Sequence, residues 1–402
     1  MAINPATAFA WPFVPNWRVP FAVTREYRTD TINTRSRREQ RRALRTTPRR
    51  AFEFEVLLHG ADLREFNGLM ALAQNKPFIM ADWSRRAELS VAAVTGGTSL
   101  TFAAIPGWIV AGRALFLYDT AARPQPVIVA SVAGNVATLT VPLLGNWAIG
   151  AAVMPGSVGF LSPETAKQRI TSAVATVAVQ FSVEPGSEPA TAPPAPAVVF
   201  NGREVCLARH NWDEGASVTL NWGAEIVDFQ RGAIAYALPF TFPLETARAS
   251  FLAATVAEAR AFEDLFDRMK GQRGEFYLPS GENDLPPKLG LSGGSATLRI
   301  AGTNTALHYN GSAVYAAICV TLRDGSKIYR SVSGIAIDGT DSVVTLSATW
   351  STTVLLSNIA RISWMPVWRF GSDAMTLEWV TDSVAQLDMA LQMVEDLPAE
   401  TL

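Results

Sequence analysis

The sequence predicts a mainly β protein of the α+β class: two tandem β-sandwich modules, each with one helix and an inserted small antiparallel β-barrel-like domain. The first observation is an internal repeat with a period of about 200 residues. The second is that each half alternates apolar and polar residues in several segments and has a single segment with helical spacing. With 402 residues, 49% of them hydrophobic, the chain can also build more than one core.

The repeat begins with Pro15–Trp17, echoed by His210–Trp212. Gln40-Arg41 is then echoed by Gln230-Arg231. An apolar alternation follows in each half, formed by Phe52, Phe54 and Val56 and by Phe240, Phe242 and Leu244. A period of two predicts a strand with one buried face at these positions.

An amphipathic segment comes next in both halves, Ala61–Gln74 and Ala257–Lys270. Its apolar residues recur at helical spacing: Phe66, Leu69 and Met70, then Phe262, Leu265 and Phe266. Gly271 and Gly274 are typical of a helix end followed by a turn. A strand is predicted after each helix, within Lys76–Trp83 and Gly274–Leu285.

Both halves close on a strand. Met154-Pro155 matches Met365-Pro366, and the segments from Thr171 and Thr381 align without a gap. Their alternating apolar residues are Val177, Val179, Phe181 and Val183, and Leu387, Met389, Leu391 and Met393. Before the closing strand each half carries short alternating segments and turns, Asn310-Gly311, Asp324-Gly325 and Asp338-Gly339 among them. Such spacing predicts the inserted β-domains, at about 89–152 and 288–361.

The predicted domain boundaries are 1–184 for the first module, 185–197 for a linker and 198–402 for the second module. The joint Glu184–Ala197 has five prolines in fourteen residues. Such a composition favours an extended, semi-rigid spacer, and we expect it to cross a neighbour's width without packing into a core.

Charge is concentrated in Thr34–Arg50, which carries eight arginines and one glutamate in a chain of net charge −2. On a helix these arginines would form a nucleic-acid-binding face, but Pro48 would interrupt it. The related segment Gln230–Leu244 alternates like a strand, so a strand with a flanking loop is predicted instead. A solvated face, an inter-subunit salt-bridge strip and a lining that faces a polyanion all remain open for its charge. The candidate channel-lining or interface residues are Arg35, Arg37, Arg38, Arg41, Arg42 and Arg45.

The sequence predicts no enzyme, no cofactor and no metal site, because nucleophile, phosphate-binding and metal-ligand motifs are missing. Cys206 and Cys319 stand in apolar, strand-like surroundings and are expected to be buried, reduced thiols. We also expect no signal peptide and no membrane span, because no charged segment leads into an apolar one at the start and no run reaches eighteen apolar residues.

These motifs resemble a known family. The N-W pairs, the segment Glu39–Val56, the helix running into Gly271–Leu285 and the Met-Pro closures look like distal-tail-type tail-tip (minor tail, baseplate) proteins of siphophages and gene transfer agents. The resemblance implies a β-sandwich-and-helix module that forms a ring joining the tail tube to the hub and fibres, around a channel for tape measure protein and DNA. This chain departs from the family in carrying the module twice.

The departure predicts a homotrimer arranged as a pseudo-hexameric ring, with a homohexamer as the alternative. The partners implied by the resemblance are further copies of the chain, the tail tube protein, the hub and fibre proteins, and DNA in passage. The expected location is the virion tail tip, after assembly in the host cytoplasm. Two other function classes stay open: a carbohydrate-binding or cell-envelope-hydrolysing virion protein, and a nucleic-acid-binding protein working through the arginines.

Overall fold

The computed structural model describes residues 8–33, 39–72, 76–119, 122–189, 191–208, 211, 217–222, 225–228, 230, 232, 234–237 and 243–395. These residues form a mainly β structure with several sheets and three α-helices, as the predicted class requires. The described elements of the first half are β1 (Phe9–Ala10), β2 (Phe21–Glu26), β3 (Thr29–Asn33), β4 (Glu39–Ala43), β5 (Arg49–His59), α1 (Ala61–Leu72), β6 (Phe78–Ala81), β7 (Ala87–Glu88), β8 (Ser99–Thr101), β9 (Ala114–Asp119), β10 (Ala122–Ala133), β11 (Val136–Leu139), β12 (Ala152–Leu161), β13 (Lys167–Arg169) and β14 (Val174–Val183).

The second half continues the same alternation of strands with few helices. Its described elements are β15 (Val199–Phe200), β16 (Arg203–Val205), β17 (Ser217–Asn221), β18 (Glu225–Asp228), β19 (Ile234–Ala237), β20 (Leu244–Ala253), α2 (Val256–Met269), β21 (Phe276–Tyr277), β22 (Thr297–Ala301), α3 (Asn304–Tyr309), β23 (Ala317–Leu322), β24 (Lys327–Asp338), β25 (Asp341–Leu346), β26 (Ile359–Trp364), β27 (Val367–Phe370), β28 (Ala374–Trp379) and β29 (Ala385–Val394).

Eight of these strands form one continuous antiparallel ribbon in the order β13-β14-β5-β2-β28-β29-β20-β17. The first four strands belong to the first half and the last four to the second. The two sets meet where β2 pairs with β28, from Phe21 opposite Trp379 to Glu26 opposite Ala374. One backbone ladder therefore joins the halves.

The two sets of four strands pair in matching registers. Val177 lies opposite Val56, as Leu387 lies opposite Phe251. Likewise, Phe52 lies opposite Val23 in the first half and Ala247 opposite Val218 in the second. Lys167 lies opposite Val177, and Leu377 opposite Leu387. A shift of 195 residues therefore relates β2 and β5 to β17 and β20, and a shift of 210 relates β13 and β14 to β28 and β29.

This register corrects part of the sequence alignment. Phe251 takes the place of Val56, so Leu244 was wrongly matched to that position, and the second alternation lies seven residues later than predicted. Phe240 and Phe242 lie outside the described residues. Two alternating apolar runs follow each other here, and a period of two cannot distinguish registers that differ by whole pairs.

Both predicted helices are confirmed, and each buries the expected face. Phe66 of α1 and Phe266 of α2 are fully buried in one hydrophobic core that both halves share. Lys270 closes α2 in the left-handed region, and a 3-10 turn, Gly271–Arg273, follows. Gly271 has φ +69°, and a Cβ there would meet Asp373, so glycine is required at this turn.

One helix per module was too few, because α3 adds a second helix to the second half. It follows Thr303, and its Ala306 amide donates a hydrogen bond to Ser342 Oγ at 3.1 Å. Asn310-Gly311 therefore ends a helix, whereas Asp324-Gly325 and Asp338-Gly339 do connect paired strands. Six residues are too few to display a helical period, and a tertiary contact stabilises this helix.

Two smaller cores lie outside the ribbon. One is formed by residues between Leu89 and Val153 around Trp147, and the other by residues between Leu285 and Trp364 around Trp350. Their strands pair in the same sequence, β8-β11-β10-β9-β12 and β22-β25-β24-β23-β26. In the part of the chain that the structure describes, no helix has the length and apolar character needed to cross a bilayer.

Candidate functional site

The structure gives the candidate arginines different surroundings. Three of them lie outside the described residues: Arg35, Arg37 and Arg38. Arg42 is exposed on β4, and Arg45 pairs with Glu26 at 3.2 Å. The described part of this segment is a hairpin of β3 and β4 followed by β5, which confirms the predicted strand character there.

Arg41 binds the second half of its own chain. Its guanidinium pairs with Glu275 and donates to the Gln272 carbonyl at 3.3 Å. Glu39, two residues earlier on β4, accepts from Arg369 at 2.8 Å. The hairpin is thus fastened to the turn after α2 by ion pairs of both polarities.

Replacing Arg41 by serine should lower the free energy of unfolding by about 1–3 kcal/mol, because Glu275 then loses one of its two partners in a half-buried site. Arg42→Ser is the matched control, one residue away on the exposed face of β4, and should change stability by less than about 0.5 kcal/mol. Chemical unfolding of both variants gives the comparison. Equal losses would contradict this assignment of Arg41.

Asp373 holds the same hairpin through the backbone. Its carboxylate accepts hydrogen bonds from the Thr29 amide at 2.6 Å, from Thr29 Oγ1 at 2.8 Å and from the Gln272 amide at 2.9 Å. Its carbonyl accepts from the Tyr27 amide at 2.8 Å. One aspartate therefore fixes the start of β3 against the end of α2.

A buried ion network lies behind the β2–β28 junction, with Glu263 of α2 at its centre. Glu263 Oε2 lies 3.4 Å from Arg25, 2.8 Å from Arg85 and 2.6 Å from Arg260. Arg25 also pairs with Asp267 at 2.6 Å, and only 2% of the Glu263 side chain is exposed. Since Arg25 and Arg85 come from the first half, the network ties helix α2 to that half.

The network continues to the proline-rich joint. Arg85 is 3.8 Å from Asp82, and Asp82 pairs with Arg50 at 2.5 Å. Arg50 reaches Glu188 at 2.8 Å, and Glu188 also lies 3.7 Å from Arg113. The expectation that the joint stays clear of any core is therefore wrong at Glu188, because its carboxylate completes a buried cluster that has more arginines than acids.

The arginines keep these carboxylates ionised. Burial alone would raise the pKa of Glu188, but Arg50 and Arg113 outweigh burial and lower it to about 2. Burial is likewise outweighed at Glu263, where Arg25, Arg260 and Arg85 hold the pKa well below its usual range. Burial lowers the pKa of Arg85 to about 10, so this guanidinium still carries its charge at neutral pH. The network is a set of full charges at neutral pH.

Two strand edges mark the ends of the ribbon. In the described residues β17 pairs only with β20, and β13 only with β14. Every residue of β17 is exposed, as is every residue of β13. The hairpin β18–β19 that follows β17 is also exposed and apolar, with Ile226 62% and Tyr236 64% accessible. Contiguous exposed apolar residues beside an open strand edge are typical of an association surface.

A groove of about 800 Å³ runs beside the junction of the halves. Trp17, Trp83 and Tyr118 line it together with Arg86 and the turn at Val380. The Trp83 and Tyr118 rings meet edge to face at 5.2 Å, and the Trp17 side chain is 36% exposed. Aromatic faces beside an arginine can bind a polar, flat ligand such as a sugar.

The residues that join the halves were missed by sequence reasoning. Glu263, Arg25 and Asp82 are single charged residues in amphipathic segments, where a charge usually indicates a solvated face. The available signal was that Arg25 and Glu263 occupy core-facing positions, Arg25 in step with Phe21 and Val23, and Glu263 next to Phe262. Comparison of the chain with models of known protein families and with curated protein sequences found no match.

Proposed function

We propose that this chain is a structural component of a bacteriophage or gene-transfer-agent tail tip. In this proposal it carries two copies of a distal-tail-type module and forms a ring that joins the tail tube to the hub and fibres. The observation that carries the proposal is the eight-stranded ribbon, whose two halves repeat one register and whose ends are open strand edges. Identical modules with complementary edges suit a closed cyclic assembly.

The polar face of the ribbon supports a channel. Glu53 and Glu378 lie on either side of Ala22 in one row across three strands, and both are exposed. Asp388 is exposed two strands further on from β2. Carboxylates repel DNA phosphates, so a channel with this wall lets DNA slide without binding it.

Symmetry explains why the module would occur twice. A tail tube is six-fold in this family, and three chains with two modules each would present six related surfaces to it. The same ring would offer three-fold symmetry to the hub. The proposed ring is therefore a homotrimer, weighing about 130 kDa for chains of 43.3 kDa.

Reconstruction of the tail tip from particles that carry this chain with a fused tag tests the proposal. We expect the tag in a ring directly below the tail tube, in three copies, and tails that lack the tip when the gene is deleted. Particles with normal tips after deletion, or a tag found elsewhere in the virion, would refute the assignment. Six complete chains in the ring would keep the function and reject the trimer.

Carbohydrate binding is a second candidate, favoured by the aromatic groove at Trp17, Trp83 and Tyr118. Binding to a glycan array that is lost in Trp17→Ala, at a side chain already partly exposed, would support this function. Retained tip assembly in that variant would show that the groove acts separately from the ring. Equal signals from the variant and the parent chain would reject the groove.

A further inference from the structure

We infer that the open edge of β17 pairs antiparallel with β13 of a second copy of this chain, with Val218 opposite Lys167 of the next copy and Thr219 opposite Ala166 of the next copy. The inference rests on the duplicated module of the proposed function and names the contact through which that module would assemble. The β2–β28 junction inside the chain supplies the template for it.

The register follows from the two shifts already described. Val23 lies opposite Leu377 inside the chain. The shift of 195 residues carries Val23 to Val218, and the shift of 210 carries Leu377 back to Lys167. The next pair, Thr24 opposite Thr376, becomes Thr219 opposite Ala166. Because both strands are exposed and open on the required side, pairing them breaks no described strand ladder.

The second half displays at this edge the side chains that an absent partner would cover. Arg25 and Tyr27 are buried inside the chain because α2 of the other half covers them. The same shift carries them to Leu220 and Trp222, which are 55% and 53% exposed. An exposed leucine and tryptophan in the places of buried residues indicate an interface that a single copy leaves open.

The surface predicted to cover them is helix α1 of the next copy, and its chemistry matches. Phe66 corresponds to Phe262, so Asn67 stands in the place of Glu263 and Ala71 in the place of Asp267. Asn67 and Ala71 are exposed. The charged partners of Arg25 and Tyr27 are thus replaced by a neutral amide and a methyl group, which suit Leu220 and Trp222.

A third pair changes in the same direction. Arg41 binds Glu275 inside the chain, and the residues in their places are Tyr236 and Pro77. Pro77 precedes Phe78 as Glu275 precedes Phe276, and Tyr236 is 64% exposed. Three ion-paired or hydrogen-bonded contacts within the chain thus become three apolar contacts between chains. A second copy explains all three together, because both sides of each contact are present on the one chain.

A disulfide tests the register. Thr24 and Thr376 approach to 2.8 Å between their hydroxyl oxygens, so cysteines in the equivalent places, Thr219→Cys with Ala166→Cys, should form an inter-chain bond on oxidation. The matched control is Thr219→Cys with Gln168→Cys, displaced by two residues on the same face. Within one chain the two strands lie at opposite ends of an eight-stranded ribbon, about 34 Å apart along the sheet, so no bond forms inside a chain.

We expect the Thr219/Ala166 pair to give covalent oligomers that end in a closed ring, at a yield at least ten-fold above the control pair. Leu220→Asp should convert the oligomer of the parent chain to 43.3 kDa monomers that remain folded, because Leu220 is already exposed in one copy. Equal or greater cross-linking of the control pair would overturn the register. An oligomer that is unaffected by Leu220→Asp, or a parent chain that stays monomeric without cross-linking, would overturn the contact.

The outcomes separate this inference from the proposed function. If tail-tip reconstruction finds the ring but β17 lies against another tail protein, the function stands and the contact is lost. If the purified chain forms the cross-linked ring but particles do not contain it, the contact stands and the tail-tip assignment is lost.

Discussion

Replacing Glu263 by glutamine is expected to lower the free energy of unfolding by about 3–5 kcal/mol. The reason is that one carboxylate oxygen serves Arg25, Arg85 and Arg260, so a neutral side chain leaves three buried guanidiniums without their shared counter-charge. Chemical unfolding followed by tryptophan fluorescence is the measurement. Trp379 is a local reporter, because it is fully buried and its ring lies 5.0 Å from the Arg260 guanidinium carbon.

Glu378→Gln is the matched control for this change. Glu378 precedes Trp379 on β28, has the same carboxylate and is exposed. Its replacement should change stability by less than about 0.5 kcal/mol. A loss in Glu263→Gln no larger than in the control would show that the network contributes little, and that the β2–β28 ladder holds the halves by itself.

Acid is expected to destabilise the protein steeply between about pH 5 and pH 2. An unfolded glutamate titrates near pH 4.5, whereas Glu188 in the folded chain has a pKa of about 2, and the pKa values of Glu263 and Asp82 are also lowered. Groups with a lowered folded pKa stabilise the fold fully above their unfolded pKa and lose that contribution as the pH falls through the folded one. Unfolding free energies at pH 7, 5 and 3, at constant salt, should therefore be level at first and then fall by several kcal/mol.

Glu188→Gln isolates one part of that dependence. Glutamine cannot titrate, so the variant should be less stable than the parent at pH 7 and should lose less stability between pH 5 and pH 3. Lost contacts to Arg50 and Arg113 account for the first effect. Parallel pH profiles for variant and parent would contradict the assignment of a lowered pKa to Glu188.

Local patterns in the sequence were sufficient for the elements that depend on them. The helices α1 and α2 and the closing strands β14 and β29 were predicted because their apolar residues repeat over ten or more positions. The strand character of Glu39–Ala43 was predicted from the related segment, although the aligned register was wrong. The pairing partners of the second half, and not its alternation, place Phe251 opposite Leu387.

Long-range contacts explain what the sequence did not predict. The arginine run was considered as a solvated face, a strip between subunits or a channel lining, yet Arg41 and Arg50 have partners within the chain, at Glu275 and at Asp82. Glu188 stands in a proline-rich segment whose composition predicts an open spacer. The partners of these ion pairs come from distant parts of the chain, so residue type and spacing alone could not identify them.

The sequence by itself determined the mainly β class, the two helices and the recurrence of one pattern along the chain, because amphipathic periods are local properties of consecutive residues. Only the tertiary structure decided that β2 pairs with β28, that Glu263 collects three arginines, and that β13 and β17 are left as open edges. The physical reason is that a charge or a strand edge acquires its energetic meaning from what faces it. Arg25 is buried opposite a carboxylate, whereas Leu220, in the same place of the second half, remains exposed.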